Sequence, residues 1–254
     1  MPTHFANLSG ACTLPTHEFQ TAARIVNDVV RCQATGVIHG NAGTGKTFAV
    51  QCALEGLETD PTNLVSVCSL TFPSRPSMRM ITDLLVQALT GSAPSRTRSR
   101  FYLTAMLVDL LTAQPRLLVV DEAQRLNGDC IELLRHLHDH PDTRFALLYV
   151  GGNGCWEVLS CEPMLRSRVF RRLPFTELPR DQVPALMRRF HPVYAGVDDD
   201  LLWEFDDSFA HGTLRDWACF THTAAELCTD SGRERVDAEV MANAYTLLGG
   251  GVHA

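Results

Sequence analysis

Residues 40–47 read Gly40-Asn41-Ala42-Gly43-Thr44-Gly45-Lys46-Thr47 and fit the pattern G-x-x-x-x-G-K-[ST]. The chemistry this run supports is the capture of a phosphate chain. Glycines let successive backbone N–H groups turn inward as an anion nest, a following helix adds the positive end of its dipole, and Lys46 brings a mobile charge to the outer phosphates. Thr47 would hold Mg2+ through its hydroxyl, and the candidate ATP contacts run from Gly40 to Phe48. A second run, Arg116-Leu117-Leu118-Val119-Val120-Asp121-Glu122, is apolar until it ends in two acids. That is the mark of a buried parallel strand whose tip reaches an active site. Asp121 would bind Mg2+ through its water shell opposite Thr47, and Glu122 would orient or deprotonate an attacking water. A strand ending in a solvated acidic turn would look the same in isolation, but the spacing of roughly 75 residues from Lys46 suits strand-helix-strand packing.

These residues need a scaffold, and the flanking pattern supplies one. Gly36 to His39 reads as a strand before the glycine loop, and Phe48 to Leu54 as a helix after it. Upstream, Thr16 is an N-cap candidate for a helix over Glu18–Arg31 with one apolar face. Such a helix lies beside an adenine or serves only as structure. Downstream, strand signals fall at Asn63–Cys68 and Phe145–Val150, and helix signals at Met78–Thr90, Phe101–Thr112 and Cys130–His140. The last of these strands ends at Gly151-Gly152-Asn153. Asn153 at a strand tip could reach the γ-phosphate or its water, although an Asn after two glycines also suits a plain turn. Arginines follow at 166, 168, 171 and 172. Beyond about Glu177 only helices remain, over Asp181–Phe190, Asp199–Phe209, Thr213–Cys228 and Val236–Leu247. The expected fold is therefore α/β, a parallel sheet between helices over residues 1–176, followed by a small helical domain over 177–254.

Composition narrows the class. Of 254 residues 45% are apolar and 20% charged, the balance of a globular protein with a real core. The most apolar runs are strand-sized, and the N-terminus lacks a basic region followed by an apolar one, so neither membrane insertion nor export is expected. Nine cysteines without a C-x-x-C pair read as core residues in a reducing cytoplasm. A net charge of −7 excludes a protein that coats nucleic acid over its whole surface, while leaving room for a local basic strip.

The order of glycine loop, Asp-Glu strand, Asn-tipped strand, arginine cluster and helical end resembles an AAA+ ATPase over essentially the whole chain. That resemblance implies an Mg2+-dependent ATPase with a P-loop NTPase core and helical lid. It implies that Asn153 is a first sensor and that Arg168, in Leu165-Arg166-Ser167-Arg168-Val169, reaches the nucleotide of a neighbouring subunit, with Arg166 as the alternative. Arg215, in Gly212-Thr213-Leu214-Arg215, would be a second sensor contacting phosphates in cis. Within that superfamily, Asp121-Glu122-Ala123-Gln124-Arg125-Leu126 is most similar to transposition regulators of the TnsC, TniB and MuB kind. The likeness implies ATP-driven rings or filaments on duplex DNA that recruit or activate a transposase. DNA would then meet the loops Ser69–Arg75 and Ser95–Arg100, where Arg75, Arg96, Thr97 and Arg98 could bind phosphates without reading bases. An arginine run in a polar loop is also an ordinary solvated face.

Three other readings share the ATPase core. A replication initiator or helicase loader is expected to add a DNA-reading domain, and a secretion ATPase of the ExeA kind to work with a membrane span or wall-binding domain. A signalling switch would have its output on another chain.

Overall fold

The four strand signals become strands of a five-stranded parallel sheet, whose fifth strand falls on the segment read only as an arginine cluster, and their burial explains their composition. A computed structural model describes residues 8–62, 64–72, 75–94 and 99–249. The strands are β1 (Thr35–Gly40), β2 (Ser66–Leu70), β3 (Arg116–Val120), β4 (Phe145–Gly151) and β5 (Val169–Phe175), in the order β2-β3-β4-β1-β5. β3 and β4 lie inside the sheet and carry almost unbroken apolar runs, as strands covered on both faces must.

The helices are α1 (His17–Cys32), α2 (Lys46–Thr59), α3 (Met78–Thr90), α4 (Arg100–Thr112), α5 (Gly128–Asp139), α6 (Cys155–Ser160), α7 (Pro163–Arg166), α8 (Val183–Phe190), α9 (Asp199–Phe205), α10 (Leu214–Ser231) and α11 (Ala238–Leu247). Side-chain caps set several starts. Thr16 Oγ1 accepts from Phe19 N at 3.2 Å, and Asn127 Oδ1 from Cys130 N at 2.9 Å. No described helix is long and apolar enough to cross a membrane.

The chain forms two compact units. The sheet unit comprises Gln20–Gly40 and Ala49–Phe175. One face of its sheet, with Val37, Leu118 and Tyr149, shares a core with Ile81, Leu107 and Leu134 from α3, α4 and α5. Burying one such side chain contributes about 1.5–3 kcal/mol. On the other face α1 comes so close that a Cβ on Gly36 would lie 2.7 Å from Val29 and 3.2 Å from Leu148.

The helical unit joins the described residues from Thr176 onward to Asn41–Phe48 and to the described residues before Gln20. The C-terminal helices are thus not a continuous unit. Leu8 and Leu14 pack into their core, Cys12 N donates to Phe190 O at 2.7 Å, and His191 Nε2 meets Ser9 O at 2.8 Å.

Three expectations are corrected. β2 is shifted to Ser66–Leu70, because pairing with β3 fixes its register and leaves Leu64 87% exposed. Ser69 and Leu70 therefore belong to the sheet and not to a DNA-facing loop. The helix expected to continue to Phe209 instead gives way to a π turn at Asp206–Ala210. Cys68, Cys130, Cys155 and Cys228 are buried, whereas Cys12, Cys32 and Cys161 are exposed, the last two at helix ends that leave the core.

Candidate functional site

The helical unit contains most of the glycine loop. Its neighbour Gly40, at the end of β1, has φ +148°, and a Cβ there would lie 2.1 Å from Phe175 O, so no other residue fits. Gly43 and Gly45 adopt φ +83° and +92°. Lys46 opens α2 and is only 8% exposed; its Nζ donates to Asn41 O at 2.5 Å, the same carbonyl that accepts from Thr44 Oγ1 at 2.9 Å. Positive-φ glycines, a helix start and a sheltered lysine on one eight-residue run fit a phosphate chain. Thr47 is exposed on the first turn of α2, where its hydroxyl could serve a cation, and Phe48 faces Phe19 at a ring distance of 6.2 Å.

The start of α10 lies on this loop. Arg215 N donates to Gly43 O at 3.0 Å, and a Cβ on Gly43 would meet Thr213 Cγ2 at 2.4 Å. Asp206 sets this placement. Its side chain, 4% exposed, accepts from Gly212 N and Trp217 Nε1, both at 2.8 Å, and so fixes the turn into α10. The Arg215 side chain is exposed and makes no ion pair among the described residues. Glu177 Oε1 accepts from Asn41 Nδ2 at 2.7 Å. That bond, a backbone N–H and then the Lys46 charge hold the Glu177 carboxyl below its ordinary value.

The sheet unit carries the acidic half. Because the strands are parallel, β3 and β4 end on one edge, with Asp121 and Glu122 after β3 and Asn153 in an exposed turn after β4. Asp121 N extends the ladder to Leu70 O at 2.9 Å, and Asp121 Oδ1 accepts from Glu122 N at 2.8 Å. Glu122 adopts φ +56°, and its Oε2 accepts from Gln124 Nε2 at 2.8 Å and pairs with Arg125 Nε at 3.2 Å. Gln124 and Arg125 lie in the segment Asp121–Leu126 already singled out, but their bonds to Glu122 are not legible there, and neither Glu177 nor Asp206 falls on a spaced motif.

The remaining candidates are dispersed. Arg168 Nε donates to Asp139 Oδ1 at 2.8 Å and its Nη1 to Met164 O at 3.0 Å, while Arg166 is exposed without an ion pair among the described residues. Arg75 is exposed, and Arg96, Thr97 and Arg98 lie outside the described residues.

Residues 30–159 match the AAA domain family. No curated protein matches the sequence. Among solved structures, Cdc6p from Pyrobaculum aerophilum is 19% identical with a TM-score of 0.72, over 94% of this chain and 69% of that one. The Aeropyrum pernix ORC2 protein, in ADPNP-ADP complexes, is 17% identical with a TM-score of 0.68, over 93% and 69%. The Aeropyrum pernix ORC1 protein, in complex with DNA, is 20% identical with a TM-score of 0.69, over 96% and 67%. At these identities the shared property is the fold.

Proposed function

The chain belongs to the AAA domain family, and from that premise we propose that it is an Mg2+-dependent ATPase whose nucleotide state switches its assembly on duplex DNA, in the service of transposition. The observation that carries the nucleotide reading is the glycine loop itself, with Lys46 sheltered at the start of α2 and the first turn of α10 bonded to Gly43. Gly40–Phe48 would bind the phosphates of ATP. Thr47 and Asp121 would hold Mg2+, which screens phosphate charge when bound.

In hydrolysis Glu122 would accept the proton of the water that attacks the γ-phosphorus, as the bond from that phosphorus to the bridging oxygen breaks and ADP leaves. Lys46 would meet the charge developing on that oxygen, Asn153 would orient the water, and Arg215 would reach the phosphates in cis. Arg168 would act from a neighbouring copy. Its pair with Asp139 is partly exposed and worth about 0–1 kcal/mol, too little to prevent the arginine from reaching across a subunit contact.

The transposition assignment rests on the segment Asp121-Glu122-Ala123-Gln124-Arg125-Leu126 and its likeness to TnsC-type regulators. DNA contact is supported by exposed Arg75, by the arginines at 96 and 98, and by the DNA complex of the similar ORC1 protein. The same fold likeness favours a second reading, an initiator-type DNA ATPase.

Electron microscopy of the chain on duplex DNA, with a non-hydrolysable ATP analogue and separately with ADP, tests the proposal. Rings or filaments on DNA with the analogue alone are expected. Nucleotide-dependent rings that ignore DNA would overturn the DNA half and leave an ExeA-like or signalling ATPase. Stimulation of a partner transposase separates the transposition reading from the initiator one.

A further inference from the structure

Of the arginines at 166, 168, 171 and 172, the proposed ATPase cycle uses Arg168 or its alternative Arg166 and leaves Arg171 and Arg172, both on β5, without a role. β5 is an edge strand, paired with β1 alone among the described residues. Val169 and Arg171 align with the consecutive Thr35 and Gly36, so Phe170 is an extra residue that bulges the strand. A bulge, two arginines and Pro174 keep a further strand from pairing here. Whatever approaches this edge meets side chains.

Those side chains are guanidiniums held in place. Arg171 Cζ lies 4.1 Å from the centroid of the Phe170 ring, and Arg172 Cζ 4.5 Å from that of Trp156, which itself stacks with His39 at 6.2 Å. Asp28 on α1, largely buried, ties in a third arginine: its Oδ1 accepts from Arg31 Nη2 at 2.7 Å and its Oδ2 from Arg171 Nε at 3.1 Å. One carboxylate against two arginines leaves a positive charge, and both arginines remain open to solvent, Arg31 the more so. Arg172, exposed and without an ion pair among the described residues, adds another. Glu157, exposed beside Trp156, makes no ion pair among the described residues either. On a chain of net charge −7 this edge is a local strip of aimed cations.

We propose that the β5 edge is a second contact for duplex DNA, where Arg31, Arg171 and Arg172 bind backbone phosphates without reading bases. It rests on the DNA reading of the chain. A guanidinium already fixed by an aromatic face or a buried carboxylate loses little further freedom on meeting a phosphate, and its remaining N–H groups match the phosphate oxygens in pairs. β5 lies at the opposite edge of the sheet from β2, about 19 Å away at the usual strand spacing. This contact is therefore separate from that of Arg75, and each copy grips DNA at two edges of one sheet.

The test is fluorescence anisotropy of the full chain on a labelled duplex, with a non-hydrolysable ATP analogue, over about 0.05–0.2 M salt. Arg31→Gln with Arg172→Gln is expected to weaken binding about tenfold for each lost contact near 0.1 M salt and to flatten the slope of log affinity against log salt by about 2. The loss should be equal on unrelated sequences, with nucleotide affinity unchanged. Arg172→Lys, which keeps the charge, is expected to keep the slope. If the double variant fails to fold, Arg172→Gln alone carries a slope change of about 1. Parental affinity and slope in folded variants, with the parent chain binding DNA, overturn this contact alone. No binding of duplex by the parent chain overturns the DNA reading and this contact with it. Self-association without DNA that is lost in the variants would make the strip a contact between copies, and tighter binding of single strands that depends on Phe170 would make it a base-stacking site; either result overturns the proposal.

Discussion

Asn41 Nδ2 donates to Glu177 Oε1 across 2.7 Å, joining the first variable position of the glycine loop to a residue 136 positions later in the chain. The Glu177 carboxyl lies below its ordinary value of 4.5, so the folded state favours its charged form. The stabilisation is present above that ordinary value and is lost as pH falls through the lower folded one. Glu177→Gln is therefore expected to melt below the parent at pH 7, with the gap closing under about pH 4. Thermal melts across that range measure it, and a gap independent of pH would contradict it.

Asp206 accepts from Gly212 N and Trp217 Nε1 while itself buried. Asp206→Ala leaves two buried donors without an acceptor and is expected to lower unfolding stability by about 2–4 kcal/mol. Because this turn places the start of α10 on Gly43, nucleotide affinity should fall with it. Denaturant titration and nucleotide binding on the same variant check both.

Lys46→Ala and Glu122→Gln are expected to separate binding from chemistry. The first removes the sheltered cation from the loop and is expected to weaken ATP binding by on the order of a hundredfold. The second preserves shape, keeps ATP bound and lowers turnover by a factor on the order of 10²–10⁴, the range of a lost general base. Fluorescent-nucleotide titration beside phosphate release distinguishes them; tight binding by Lys46→Ala would remove the loop from the site.

Arg168→Ala is expected to abolish the rise in turnover per subunit with protein concentration, leaving the affinity of dilute protein for nucleotide nearly unaltered. Arg166→Ala, matched in charge loss, should keep that rise. The reverse result would transfer the trans role to Arg166, whose guanidinium has no ion pair to break among the described residues.

Tyr149 is fully buried on β4, and its hydroxyl has no hydrogen-bond partner among the described residues. Tyr149→Phe removes a desolvated polar group without opening space for more than the lost oxygen, so a gain of about 1 kcal/mol in unfolding stability is expected. A loss in the denaturation midpoint would instead reveal a bond to that hydroxyl.

Much of this protein was legible in its sequence because it depends on local periodicity and on short motifs. The glycine loop, the apolar run into Asp121 and Glu122, and the change from alternating strands and helices to helices alone needed only neighbouring residues. The turn residues Gly151 and Gly152 were also visible, but not their reason, which is the Gln124 side chain beside them. Likewise Thr16 was readable as a helix cap, whereas the packing of Leu8 and Leu14 into the C-terminal helices was not.

What the sequence determined by itself was the set of backbone conformations and apolar faces: glycine where φ must be positive, alternation or continuity where a strand is covered on one side or both. Tertiary structure alone decided which distant polar groups meet. The register of β2 depends on its pairing to β3, the Glu177–Asn41 bond closes over 136 residues, and the carboxylate of Asp206 turns inward only because Trp217 and Gly212 arrive beside it. A hydrogen bond has no periodicity along the chain; its partners are selected by the packing that brings them within about 3 Å.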